Sequence, residues 1–216
     1  MKSLTVRKID FSGCSAGQLS GVMDRESVAY QNISEINWDK YPYRPEARFR
    51  IAHDGKRIFL HYRVEEESIR ALYGEDNEAV WTDSCVEFFV RFPKDDFYYN
   101  LESNCIGTVL LGARKNRNES ELASRAITQT IERASSLGRE PFALRKGTHS
   151  WDLSLIVPAS VFFKNSIRNL SGTTAYGNFY KCGDELLTPH FLSWNNIENP
   201  EPNFHLPAFF GELLFE

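Results

Sequence analysis

At 216 residues the chain is long enough for one domain to bury a core without metal or disulfide support. Aromatic residues at 13% and only two methionines favour β-structure over a helical bundle. A net charge of −4 with no sustained basic patch removes the electrostatic ground for a nucleic-acid or acidic-membrane partner. No apolar run matches a signal-peptide core or a membrane span, so the expected location is cytoplasmic, or secreted if a leader was removed. Cys14, Cys85, Cys105 and Cys182 form no CxxC pair, which disfavours a zinc site and reads as reduced thiols.

Residues 1–40 mix small, polar and charged types and are expected to form an N-terminal arm or first strands. A hairpin follows. Phe49 and Ile51 alternate with Arg48 and Arg50, Asp54-Gly55 makes the turn, and Ile58, Leu60, Tyr62 and Val64 alternate with Phe59, His61, Arg63 and Glu65. This predicts a half-buried antiparallel pair. Glu65 to Glu78 is read as an acidic loop with a helical turn near Ser68 to Leu72.

From Ser84 the chain alternates as a strand does. Val86, Phe88, Val90 and Phe92 form a core face; Cys85, Glu87, Phe89 and Arg91 form the other, with Trp81 in the loop before them. A turn at Pro93–Asp96 leads into a second strand, on which Tyr98, Asn100, Glu102 and Asn104 share a side. Paired antiparallel, the two strands put Glu87, Asn100, Glu102 and Asn104 on one sheet face. An indole beside a fixed carboxylate suits a sugar ring: axial hydrogens stack on the aromatic plate while the carboxylate accepts vicinal hydroxyls.

Further on, Thr108–Gly112 is a short strand, and the charged RKNRNESELASR stretch has helical character from Glu119 to Arg125. Ile127 to Arg133 shows a period of two, and Trp151, Leu153, Leu155 and Val157 mark a strand stopped by Pro158. In TTAYGNFYKCG, Tyr176, Asn178, Tyr180 and Cys182 oppose Ala175, Phe179 and Lys181. A proline-broken loop and the strand ELLFE close the chain. With no repeat and no linker, the expectation is a single all-β domain over residues 1–216.

VWTDSCVEFFV (80–90), the Trp151-to-Pro158 segment and SWNNIENPEPNFHLPAFFGELLF (193–215) together resemble the family 9 carbohydrate-binding modules and their bacterial family-9-like relatives. The resemblance covers roughly residues 45–215. It implies an immunoglobulin-like antiparallel β-sandwich that binds a mono- or oligosaccharide, in family 9 at a chain's reducing end, between two aromatic plates. Structural calcium is known in some members, and no other cofactor is implied. Trp81 matches one plate and Glu87 the hydroxyl-holding carboxylate; Phe204, with His205 beside it, stands where the second plate is a tryptophan, and Trp194 matches an earlier tryptophan of that segment. Asn100 stands near the place of a family arginine.

The candidate carbohydrate-binding set is therefore Trp81, Glu87, Asn100, Glu102, Trp194, Phe204 and His205. For Glu87 the structural alternative is a surface carboxylate paired with Arg50 or Arg63, and for Trp81 and Trp194 it is packing. Acids at 65–67, with Glu75, Asp76 and Asp83, are the candidate calcium ligands, although no EF-hand spacing is present. A glycoside hydrolase using Glu87 with Glu102 or Asp83 is the runner-up function. A haem-binding sandwich using histidine and Met1 or Met23 ranks below it.

Overall fold

The computed structural model describes residues Met1–Glu216. Its first strands are β1 (Ser3–Lys8), β2 (Gln31–Asn32), β3 (Glu35–Ile36), β4 (Glu46–His53) and β5 (Arg57–Ala71), with helix α1 (Leu19–Arg25) between β1 and β2. Then come β6 (Cys85–Arg91), β7 (Tyr98–Asn104), β8 (Val109–Arg114) and β9 (Ser120–Leu122), followed by the short helix α2 (Arg125–Thr128). The last are β10 (Glu132–Ser135), β11 (Phe142–Pro158), β12 (Thr174–Cys182), β13 (Phe191–Ser193) and β14 (Gly211–Phe215).

Two sheets form the sandwich. One runs β10-β11-β5-β4-β1 and the other β1-β14-β12-β6-β7-β8-β9. Strand β1 belongs to both: Ser3–Val6 pair with β14 and Arg7–Lys8 with β4, both in parallel. The antiparallel expectation therefore holds everywhere except along this seam. Residues 1–40 are correspondingly more than an arm, because β1 is built into the fold and α1 packs Leu19, Val22 and Met23 with Phe59 and Ile156. That covering also buries the outer face of the β4–β5 hairpin near its turn, where the sequence suggested exposure.

The hairpin turn follows its chemistry. The Asp54 carboxylate accepts the N–H groups of Lys56 and Arg57 at 2.9 and 2.8 Å, and Gly55 takes φ +94°. Between the sheets, Phe179 stacks on Phe49 with centroids 3.6 Å apart and on Phe88 at 4.9 Å. The alternating apolar residues of β4, β5, β6, β11 and β12 fill the rest of this core.

Two sequence readings are corrected. Glu65–Glu78 is not a loop throughout, since β5 continues to Ala71. Its polar residues are buried because they are paired: Glu66 accepts Trp151 Nε1–H at 2.8 Å and meets Lys181 Nζ at 2.9 Å, while Arg70 Nε lies 3.1 Å from Asp83. Glu119–Arg125 is likewise not helical: Ser120–Leu122 pair with β8, α2 starts only at Arg125, and the period-two strand begins at Glu132.

Candidate functional site

The site is built on the outward face of β6, β7 and β12. Register places Glu87 directly across from Glu102 on one side and Tyr180 on the other, and Cys182 across from Cys85. The segment between β13 and β14 folds over part of this face. Phe204 stacks on Tyr180 with centroids 4.1 Å apart and planes at 9°, and Tyr180 Oη donates to Phe204 O at 3.2 Å. Trp38 Nε1–H donates to Asn199 O at 2.8 Å, tying down the start of the same segment.

What remains open is a cavity of about 550 Å³. Trp81, Glu87, Glu102, Phe204 and His205 line it. Of the chain's tryptophans only Trp81 is substantially exposed, at 37%. It sits in a 3₁₀ turn (Val80–Thr82) held by the Asp83 carboxylate, which accepts the N–H groups of Leu72 and Tyr73 and Asn104 Nδ2–H, besides meeting Arg70.

Asn100 lies behind the cavity wall and acts as an orienter. Its Nδ2 donates to Glu102 Oε1 at 2.7 Å and its Oδ1 accepts from Arg114 Nε at 2.9 Å. The cavity thus has an arginine after all, one strand further along than sequence comparison suggested, with Arg117 beside it. Glu102 Oε2 is left buried with no protein partner.

Crowded acids and burial shape the electrostatics. Glu102 is pushed up to about 7, chiefly by desolvation. Glu87 lies well above the usual carboxylate range for the same reason and because Glu102 is its neighbour, against the bond from Cys182 Sγ–H to Glu87 Oε1 at 3.1 Å. Asp184, also in the lining, is raised to about 6 by burial and by Glu185. His205 is lowered to about 3 by burial and by Arg114 and Arg117, so it is neutral, with Nδ1 at 2.9 Å from Tyr98 Oη.

Several candidates move. Trp194 is only 3% exposed and packs edge-on to Phe49 and Phe179 in the core, away from the cavity. Its ring presses on Gly211, where an added Cβ would come within 2.4 Å. Phe204 lines the cavity but commits a face to Tyr180 and is 8% exposed, a poor second plate; Tyr41 and Phe191, both half-buried in the lining, leave more aromatic surface. Glu87 does not pair with Arg50 or Arg63, which are held by Asp24 and Asp152. The suggested calcium acids are dispersed among cations: Asp83 with Arg70, Asp76 with Arg133, Glu66 with Lys181. For haem, Met23 is buried with α1, and the cavity's histidine is bonded to Tyr98.

Sequence reading did not single out Tyr41, Arg114, Arg117, Asp184 or Phe191. Arg114 was recoverable, since pairing Asn100 with Gly112 places it two residues along the same face. Tyr41 and Asp184 come from loops that only the folded chain brings in.

The sequence model of carbohydrate-binding family 9 matches residues 17–215. The chain belongs to this family. A crystal structure of a "putative carbohydrate-binding protein" from Bacteroides uniformis is 46% identical, with a TM-score of 0.97 over 100% of this chain and 99% of that one. Family 9 modules from Caldicellulosiruptor kristjanssonii, solved with glucose and with cellotriose, share the fold at 11% and 12% identity. Their TM-scores are 0.56 and 0.59, covering 100% of this chain and 96% and 94% of theirs. No curated protein matches the chain. Within the family 9 sandwich, then, the cavity stands on the face of β6, β7 and β12, with its indole at one rim.

Proposed function

We propose that this family 9 protein binds carbohydrate without cleaving it, holding one sugar ring in the cavity against Trp81. The observation that carries the reading is the pairing of an exposed indole with a buried floor of unspent hydrogen-bonding groups. Glu102 Oε2 has no protein partner, and Glu87 and Arg114 flank it in the same lining. An unsatisfied buried acceptor is costly, and a hydroxyl donor of a sugar would satisfy it. Arg114, fixed by Asn100, offers donors to oxygens that a carboxylate cannot serve.

Stacking contributes about 1 kcal/mol, and the directional bonds about 1 kcal/mol each, which corresponds to roughly micromolar to millimolar dissociation constants. Glucose and cellotriose, the ligands in the Caldicellulosiruptor complexes, are the first sugars to test. Binding is favoured over hydrolysis because the family model that matches the chain is one of carbohydrate binding, and Glu87 and Glu102 rise side by side from one floor rather than facing each other across a cleft.

Isothermal titration with gluco-, galacto- and xylo-configured sugars tests the proposal. At least one should bind, with affinity falling about tenfold or more in Glu87→Gln and Arg114→Ala. Failure of every sugar to bind, or unchanged affinity in both variants, would overturn it.

A further inference from the structure

We propose that Cys85, Glu87 and Cys182 form a binding site for a thiophilic divalent ion such as Zn²⁺, with a fourth coordination position open to the cavity. The sequence pointed away from this, because the two cysteines lie far apart and in no metal-binding spacing. The fold joins them. Antiparallel pairing of β6 with β12 sets Cys85 directly opposite Cys182, and Glu87, two residues on, shares their face.

One donor atom from each residue lies within 4.8 Å of the other two. Tetrahedral coordination with bonds of about 2.0–2.3 Å needs ligand atoms roughly 3.4–3.8 Å apart, so side-chain adjustments of about 1 Å would close the site. Cys182 Sγ and Glu87 Oε1 already stand at 3.1 Å. Two thiolates, a carboxylate and one open position form a donor set suited to zinc or cadmium rather than to calcium or magnesium.

All three side chains are buried on one face, so the donor set is shielded from bulk water except where Glu87 and Cys182 reach the cavity. Access runs through the cavity, since Cys182 and Glu87 line it while Cys85 lies behind. On binding, each sulfur releases its proton to solvent as its bond to the ion forms, and a protonated Glu87 releases one as well. Nothing is oxidised.

The proposal stands apart from the sugar reading and is tested without any sugar. Cd²⁺ is titrated into the reduced full-length protein while the ultraviolet sulfur-to-cadmium charge-transfer band is followed, and Zn²⁺ is then added as competitor. One equivalent should saturate the band and Zn²⁺ should remove it. Cys85→Ser and Cys182→Ser should each weaken binding about 100-fold or more, Glu87→Gln about tenfold, and Cys14→Ser not at all. Absence of a stoichiometric band in the wild-type protein overturns the site whether or not the serine variants fold. So does a band that survives both serine substitutions or vanishes with Cys14→Ser.

Discussion

Glu102 shows how a buried acid in the floor of a cavity can cost the fold that carries it. Its carboxyl titrates near 7 in the folded protein, against about 4.5 when unfolded, because it is buried and half unpartnered. Between those values the unfolded chain loses the proton and the folded one keeps it, so folding stability falls as pH rises through that window and levels off above it. Glu102→Gln removes the titration while its amide oxygen can still accept from Asn100. Chemical denaturation should find this variant more stable than wild type at pH 8, by up to about 3 kcal/mol, with little difference at pH 4.5. Sugar affinity should fall in the same variant. A pH-independent difference would contradict the assignment. Asn100 acts at the same scale but through others: Asn100→Ala should lower affinity about tenfold by calorimetry, since it releases both Arg114 and Glu102 without touching the ligand. Unchanged affinity would show that those two groups hold their places unaided.

Among the elements, period-two strands were the most legible. The faces of β6, β7 and β12 follow directly from alternation, and with them Glu87, Glu102 and Cys182, because one buried face fixes the register of the other. The polar end of β5 was illegible for a physical reason: Glu66, Ser68 and Arg70 look like a solvated loop until partners from β11, β12 and the turn after Trp81 arrive to bury them. Trp194 takes its packing alternative, and the sequence left both open because a tryptophan beside a cavity and one wedged against a glycine leave the same mark. Gly211→Ala should therefore cost about 1–3 kcal/mol in denaturant melts, as a methyl meets the Trp194 ring and Lys2 O. A neutral result would mean that β14 has room to shift. Asp83→Ala should cost about 3–5 kcal/mol, leaving Arg70 unpaired and the Trp81 turn unanchored.

For the molecule as a whole, the two sheets are joined by more than apolar packing. Lys181 of β12 reaches across the sandwich to Glu66 of β5 and contacts His190 Nε2 at 2.8 Å, with all three side chains fully buried. His190 is held neutral, well below its ordinary value, by burial and by the lysine, and so serves as an acceptor. Lys181→Met alone should destabilise by about 3–5 kcal/mol through the stranded Glu66 carboxylate. Adding Glu66→Gln, which keeps an acceptor for Trp151, should recover much of that loss, and additive losses would contradict a coupled pair. The β-sandwich class was readable from strand spacing and turn residues, whereas β1's position in both sheets was not, since a parallel pairing between the two ends of the chain has no local signature.

The central claim is that a sugar ring lies against Trp81, and intrinsic fluorescence tests it most directly because the other three tryptophans are buried. Titration of the wild-type protein with glucose and cellotriose should give a saturable emission change that disappears in Trp81→Phe while calorimetric binding persists more weakly. A saturable change that remains undiminished in Trp81→Phe would place the sugar elsewhere and contradict the account.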